Sequence, residues 1–141
     1  MQLDDLYRRV IMDHYKNPRN RGTMDDEAVT INLNNPTCGD RISLQLQVEG
    51  GKVVDAKYTG EGCSISMSSA SMMTEAVKGK TFDEALNMAE RFSGLMKGED
   101  VEFNELEDIE ALSGVNKFPA RIKCATLAWN ALRKGIDNEK Q

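Results

Sequence analysis

The chain has 141 residues, a formal net charge of −5 at pH 7 and only 6% aromatic residues. That length lets one domain remove roughly two-thirds of its unfolded surface from water, so no metal or disulfide is needed merely to fold, and the acidic balance argues against a nucleic-acid partner. No apolar run approaches the ~20 residues of a membrane span and "MQLDDLYRR" carries no apolar run after a basic start, so a cytoplasmic chain with no membrane association is expected.

In "LDDLYRRVIMDHYK", Leu3, Leu6, Tyr7, Val10, Ile11 and Tyr15 recur at helical spacing, with Asp4 and Asp5 in the first turn. His14, the only histidine, falls beside this stripe. Pro18 in "NPRNRG" stops the helix, because it disfavours helical geometry at Asn17. Strands follow. "AVTINLN" alternates weakly through Val29, Ile31 and Leu33, and "ISLQLQV" alternates cleanly through Ile42, Leu44, Leu46 and Val48. "EGGK" predicts a two-residue hairpin turn. The returning strand "VVDAKYTGEG" offers Val54, Ala56 and Tyr58 to the same face. The expected fold class is α+β: a three-stranded antiparallel meander with helices packed on one face.

Helices occupy the rest. "CSISMSSASMMTEAVKGK" predicts a helix from Cys63 to about Gly79. Thr81 followed by Glu84 forms a capping box for the next. "NELEDIEALSGV" reads as a short acidic helix or a pair of turns. The last helix starts near Pro119 and is expected to close at Arg133, Lys134 and Gly135. One domain over 1–141 is expected, with a frayed tail at about 137–141.

Cys38, Cys63 and Cys124 are an odd, widely spaced set with no CxxC, a poor disulfide framework. Cys38 sits in "NNPTCGD", at a turn entering a strand; Cys63 follows two glycines at a helix start; Cys124 lies in the first turns of the last helix. Unpaired amides at helix N-termini favour a thiolate, and Arg121 and Lys123 act the same way on Cys124. A lone cysteine is usually a small buried hydrophobe, and Cys124 in "CATLAW" suits that role, Cys38 least. Zinc takes four tetrahedral ligands from sulfur, nitrogen and oxygen. Three cysteines supply three, and the fourth is Asp40 or His14. Asp40 has the advantage: it lies two residues from Cys38, on the same side of a strand.

"PTCGDRI", "GEGCSISMSSASMMTE" and "KCATLAW", with "MDHYKNPRNRG" ahead of them, resemble the iron–sulfur cluster assembly proteins of the IscU/NifU N-terminal family over about residues 3 to 135. The scaffold branch of that family carries a Leu-Pro-Pro-Val-Lys-type chaperone motif and a histidine before its third cysteine. Here the stretch is "FPARIKC", with Lys123 in the histidine's place, and the segment between Cys63 and Cys124 is longer. Both departures are similar to the SufU branch, whose members bind zinc and receive sulfur from a SufS-type cysteine desulfurase. The resemblance implies a Zn²⁺ site of Cys38, Asp40, Cys63 and Cys124, and an α+β fold with helices on one side of a small sheet.

The leading expectation is sulfur relay, in which Cys38, on a loop, accepts persulfide sulfur from the desulfurase while Asp40, Cys63 and Cys124 stay on the metal. Arg121 and Lys123 are the candidate partner contacts, and downstream iron–sulfur assembly proteins take the sulfur onward. The alternative is a scaffold on which a transient iron–sulfur cluster forms at the same cysteines. A third class is a structural zinc-binding interaction module. A cysteine hydrolase with His14 as base lacks any recognisable oxyanion motif.

Overall fold

The computed structural model describes residues 3–24, 28–35, 39–99, 109 and 111–140; among these, side chains of residues 3–7, 111, 113, 116 and 140 lie outside the described set. Helix α1 (Leu3–Lys16) is followed by strands β1 (Val29–Asn35), β2 (Asp40–Glu49) and β3 (Lys52–Glu61). Helices α2 (Ser64–Val77) and α3 (Phe82–Met96), a 3₁₀ turn (Ala111–Lys117) and a long helix α4 (Pro119–Lys140) complete the order. The sheet is an antiparallel meander in the order β1-β2-β3, as the alternation predicts.

The hairpin register is set by Gly50 and Gly51, whose φ values of 58° and 77° place both in the left-handed conformation that a two-residue turn matching strand twist requires. Ile42, Leu44 and Leu46 point into the core and are 3% exposed or less. On β3 the expected face is corrected at one position. Val48 pairs with Val53 but Gln47 with Asp55, so one extra residue bulges out of β3. The bulge turns Val53 inward and leaves Val54 44% exposed, while Ala56 and Tyr58 stay buried as expected.

One hydrophobic cluster joins both sides of the core. Helix α2 runs through its middle, and Met67, Ala70, Met73 and Val77 are buried together with Ser66, Ser68, Ser69, Ser71 and Thr74. Such a helix is viable only if every hydroxyl finds a partner. Ser68 donates to the Ile11 carbonyl at 2.7 Å, tying α2 to α1, and Ser69 donates to the Ala125 carbonyl at 2.6 Å, tying it to α4. Trp129 stacks on Phe92 at 4.9 Å and donates its indole N–H to Ser69. Both halves of the predicted capping box form on α3: the Glu84 amide donates to Thr81 Oγ1 and the Thr81 amide to the Glu84 carboxylate. The second of these bonds holds the Glu84 carboxyl below its ordinary pKa range.

Three further expectations are revised. Helix α4 does not close at Gly135 but continues to Lys140. Gly135 is instead a contact residue: a Cβ there would lie 3.1 Å from Leu46 Cδ1 and 3.3 Å from Ile31 Cγ1, so glycine lets α4 settle against the sheet. Tyr15, placed on the apolar stripe of α1, is 45% exposed; the inward side of that turn is taken by Ile11 and His14. The short acidic helix expected at "NELEDIEALSGV" falls mostly outside the described residues, and its end, from Ala111, is the 3₁₀ turn. Among the described residues no helix is long and apolar enough to cross a membrane.

Candidate metal centre

The sheet edge and two helix starts meet at one end of the molecule. Asp40 opens β2, opposite Asn35 of β1, so its position is fixed by strand pairing. Cys63 is the N-cap residue of α2, with extended backbone (φ −70°, ψ 169°) and no side-chain capping bond. Cys124 sits in the second turn of α4, fully buried, its sulfur 3.9 Å from the Ala120 carbonyl oxygen. Packing of α2 against α4, through Ser69 and Trp129, is what carries Cys63 and Cys124 to the same place.

One ligand atom from each of Asp40, Cys63 and Cys124 lies within 4.8 Å of the others. An ion with metal–sulfur distances of ~2.3 Å and metal–oxygen distances of ~2.0–2.2 Å spans that spacing. The carboxylate supplies a second observation. Asp40 is 1% exposed, and Oδ1 accepts the Cys63 backbone N–H at 3.1 Å. Oδ2 is buried with no hydrogen-bond partner among the described residues. A buried carboxylate oxygen left unpaired is costly, and a cation beside two thiolates removes that cost. The donor set fits a divalent metal.

Arg121 is exposed at the start of α4 and faces both sulfurs. Its guanidinium pKa is raised by the charge of Cys63, then that of Cys124, and by hydrogen bonds to both. The sequence placed Arg121 beside Cys124 alone; the fold also brings it to Cys63, 58 positions away in the chain. Lys123 is exposed on the same turn. Cys38 lies outside the described residues, in the connection between Asn35 and Asp40.

His14 is not a member of the cluster. It is 2% exposed, with Nδ1 2.8 Å from Ser71 Oγ, which also accepts the Arg19 backbone N–H. The Tyr58 phenol, whose pKa is raised by burial, hydrogen-bonds to the same serine. This ties α1, β3 and α2 together. His14→Ala is therefore expected to cost on the order of 2–3 kcal/mol of stability while leaving metal content unchanged; denaturant unfolding and elemental analysis of one preparation check both. Sequence reasoning missed the part played by Gly62, which abuts Asp40. The only signal was a glycine immediately before a cysteine.

Residues 6–140 match the family model described as the NifU-like N terminal domain. The chain is 60% identical over 139 residues to the zinc-dependent sulfurtransferase SufU of Bacillus subtilis, covering 98% of this chain and 94% of that protein. It is 48% identical over 136 residues to the iron-sulfur cluster assembly scaffold protein IscU of Streptococcus pyogenes, covering 96% and 85%. The crystal structure of a SufU from Fervidobacterium islandicum, assigned to cluster scaffolding in the SUF system, superposes with a TM-score of 0.87 at 34% identity, covering 94% of this chain and 97% of that one. Its fold, its three-residue centre and the match along almost its full length make the chain a member of the NifU-like N-terminal domain family.

Proposed function

We propose that this chain is a zinc-bound sulfur acceptor of iron–sulfur cluster biogenesis, taking persulfide sulfur from a SufS-type cysteine desulfurase. The observation that carries the reading is the convergence of Asp40, Cys63 and Cys124, with Asp40 Oδ2 buried and lacking a hydrogen-bond partner among the described residues. It is supported by the 60% identity to a protein named as a zinc-dependent sulfurtransferase. Cys38, two residues before Asp40, is the proposed fourth ligand. Bound zinc would keep the thiols deprotonated at neutral pH.

Cys38 is the proposed acceptor. Its thiolate attacks the outer sulfur of the desulfurase persulfide, forming one S–S bond as the bond to the desulfurase cysteine breaks. The desulfurase leaves as a thiolate, the outer sulfur ends on Cys38, and no electrons are gained or lost overall. Cys63 and Cys124 are fixed on two packed helices, and Asp40 is pinned by the Cys63 amide. These three are held in place by strand pairing and helix packing, whereas Cys38 precedes β2 in the sequence "NNPTCGD", read as a turn. Arg121 balances the negative charge of the thiolates, and with Lys123 it offers an exposed basic edge for the desulfurase. Downstream iron–sulfur assembly proteins would consume the sulfur.

A second reading is a scaffold that builds a transient cluster on the same cysteines, favoured by the 48% identity to a protein named as an assembly scaffold. Metal analysis separates the two. Protein purified without air is expected to hold about one zinc per chain and neither iron nor acid-labile sulfide. Iron and sulfide in equal amounts, with zinc absent, would establish the scaffold reading instead.

A further inference from the structure

The geometry points to Gly62 as the residue that positions the Asp40 carboxylate for the metal, by leaving room for it. This rests on the proposed role of Asp40 as a ligand. A Cβ on Gly62 would lie 2.6 Å from Asp40 Oδ1 and 3.0 Å from its Cγ, and 2.4 Å from Ser66 Oγ. Real Cβ atoms do not approach so closely, so any side chain at 62 forces something to move. The backbone is not the reason for glycine here, because Gly62 is absent from the positive-φ residues. What glycine provides is space.

That space is occupied by a carboxylate lying against the 62–63 peptide, with Oδ1 on the Cys63 amide and Oδ2 without a hydrogen-bond partner among the described residues. With Oδ1 taking the Cys63 amide, Oδ2 is the carboxylate oxygen that would turn to a bound metal. Asp40 is also coupled to Cys63, because one peptide amide holds the oxygen ligand and belongs to a sulfur ligand. Ser66 is the other neighbour; its hydroxyl donates to the Cys63 carbonyl at 3.2 Å.

The test compares Gly62→Ala, Asp40→Ala, the double variant, and Gly62→Ala with Ser66→Ala. Zinc affinity is measured by chelator competition, and coordination by the visible absorption of the cobalt(II)-substituted proteins. Gly62→Ala is expected to bind zinc at least tenfold more weakly and to shift the cobalt spectrum toward that of Asp40→Ala. The double variant should match Asp40→Ala in both, since positioning has no effect once the carboxylate is gone. Additive losses in the double variant would overturn the inference, as would recovery of affinity when Ser66→Ala is added to Gly62→Ala. If Gly62→Ala fails to fold but the Asp40→Ala double variant folds, the contact with Asp40 is the cause and the inference stands; failure of both overturns it. Unchanged affinity in Asp40→Ala would instead remove the ligand role itself, while loss in Asp40→Ala alone would remove only the role of Gly62.

Discussion

Replacing Cys63 and Cys124 together by serine is expected to remove zinc binding while leaving the domain folded. Structural zinc sites contribute roughly 10–16 kcal/mol of apparent binding free energy at neutral pH, and two thiolates supply a large part of it. Serine hydroxyls stay protonated at pH 7 and are poor replacements, so affinity should fall by several orders of magnitude. The fold has a separate foundation. The core includes the fully buried Leu44, Leu46, Met73, Phe92, Leu112, Trp129 and Ile136, none of them a proposed metal ligand. Serine at 124 keeps nearly the volume of cysteine and retains the Ala120 carbonyl as acceptor, so the cost there is about 1 kcal/mol. Zinc binding to the parent should raise its melting temperature, since at a thousandfold excess over Kd a ligand adds about 4 kcal/mol. The double variant should melt near the chelated parent and should not respond to added zinc. Full zinc retention would place the metal elsewhere.

Cys38→Ser is expected to behave differently. Asp40, Cys63 and Cys124 remain, held by strand register and two helix starts, so zinc should bind more weakly yet measurably. Sulfur acceptance should disappear, because a serine hydroxyl does not attack a persulfide. The predicted phenotype is therefore a zinc-loaded protein that no longer stimulates a SufS-type desulfurase, with loss of the protein-dependent part of turnover. Stimulation equal to the parent, at matched zinc content, would show that Cys38 is not the acceptor. Comparing variants at matched metal content is essential, because zinc loss alone would lower activity for a different reason.

Much of this architecture is written in local patterns. The meander was legible because Ile42, Leu44 and Leu46 alternate through a Gly-Gly turn, and the start of α3 because Thr81 and Glu84 are a self-contained capping unit. The bulge at Val54 was not, since "VVDAKY" presents adjacent valines and only cross-strand pairing decides which one turns inward. Gly135 read as a helix stop because its real function, close approach of α4 to Leu46 and Ile31, is a tertiary fact. The candidate centre was legible in kind. Three cysteines in characteristic local settings and an aspartate two residues after the first suggested a ligand set. The meeting of Cys63 and Cys124, however, depends on the serine-mediated packing of α2 against α1 and α4, which no local pattern encodes. His14, an alternative fourth ligand in the sequence, is buried on Ser71 because the fold turns it inward from α1.

The central claim is that sulfur passes to Cys38 while Asp40, Cys63 and Cys124 keep the metal. Zinc-loaded protein would be incubated briefly with a cysteine desulfurase and free cysteine without air, alkylated, digested and mapped by peptide mass. The predicted result is one additional sulfur on the peptide containing Cys38, with the Cys63 and Cys124 peptides unmodified and zinc still bound. A persulfide found only on Cys124, or none on any cysteine while desulfurase turnover is stimulated, would contradict it.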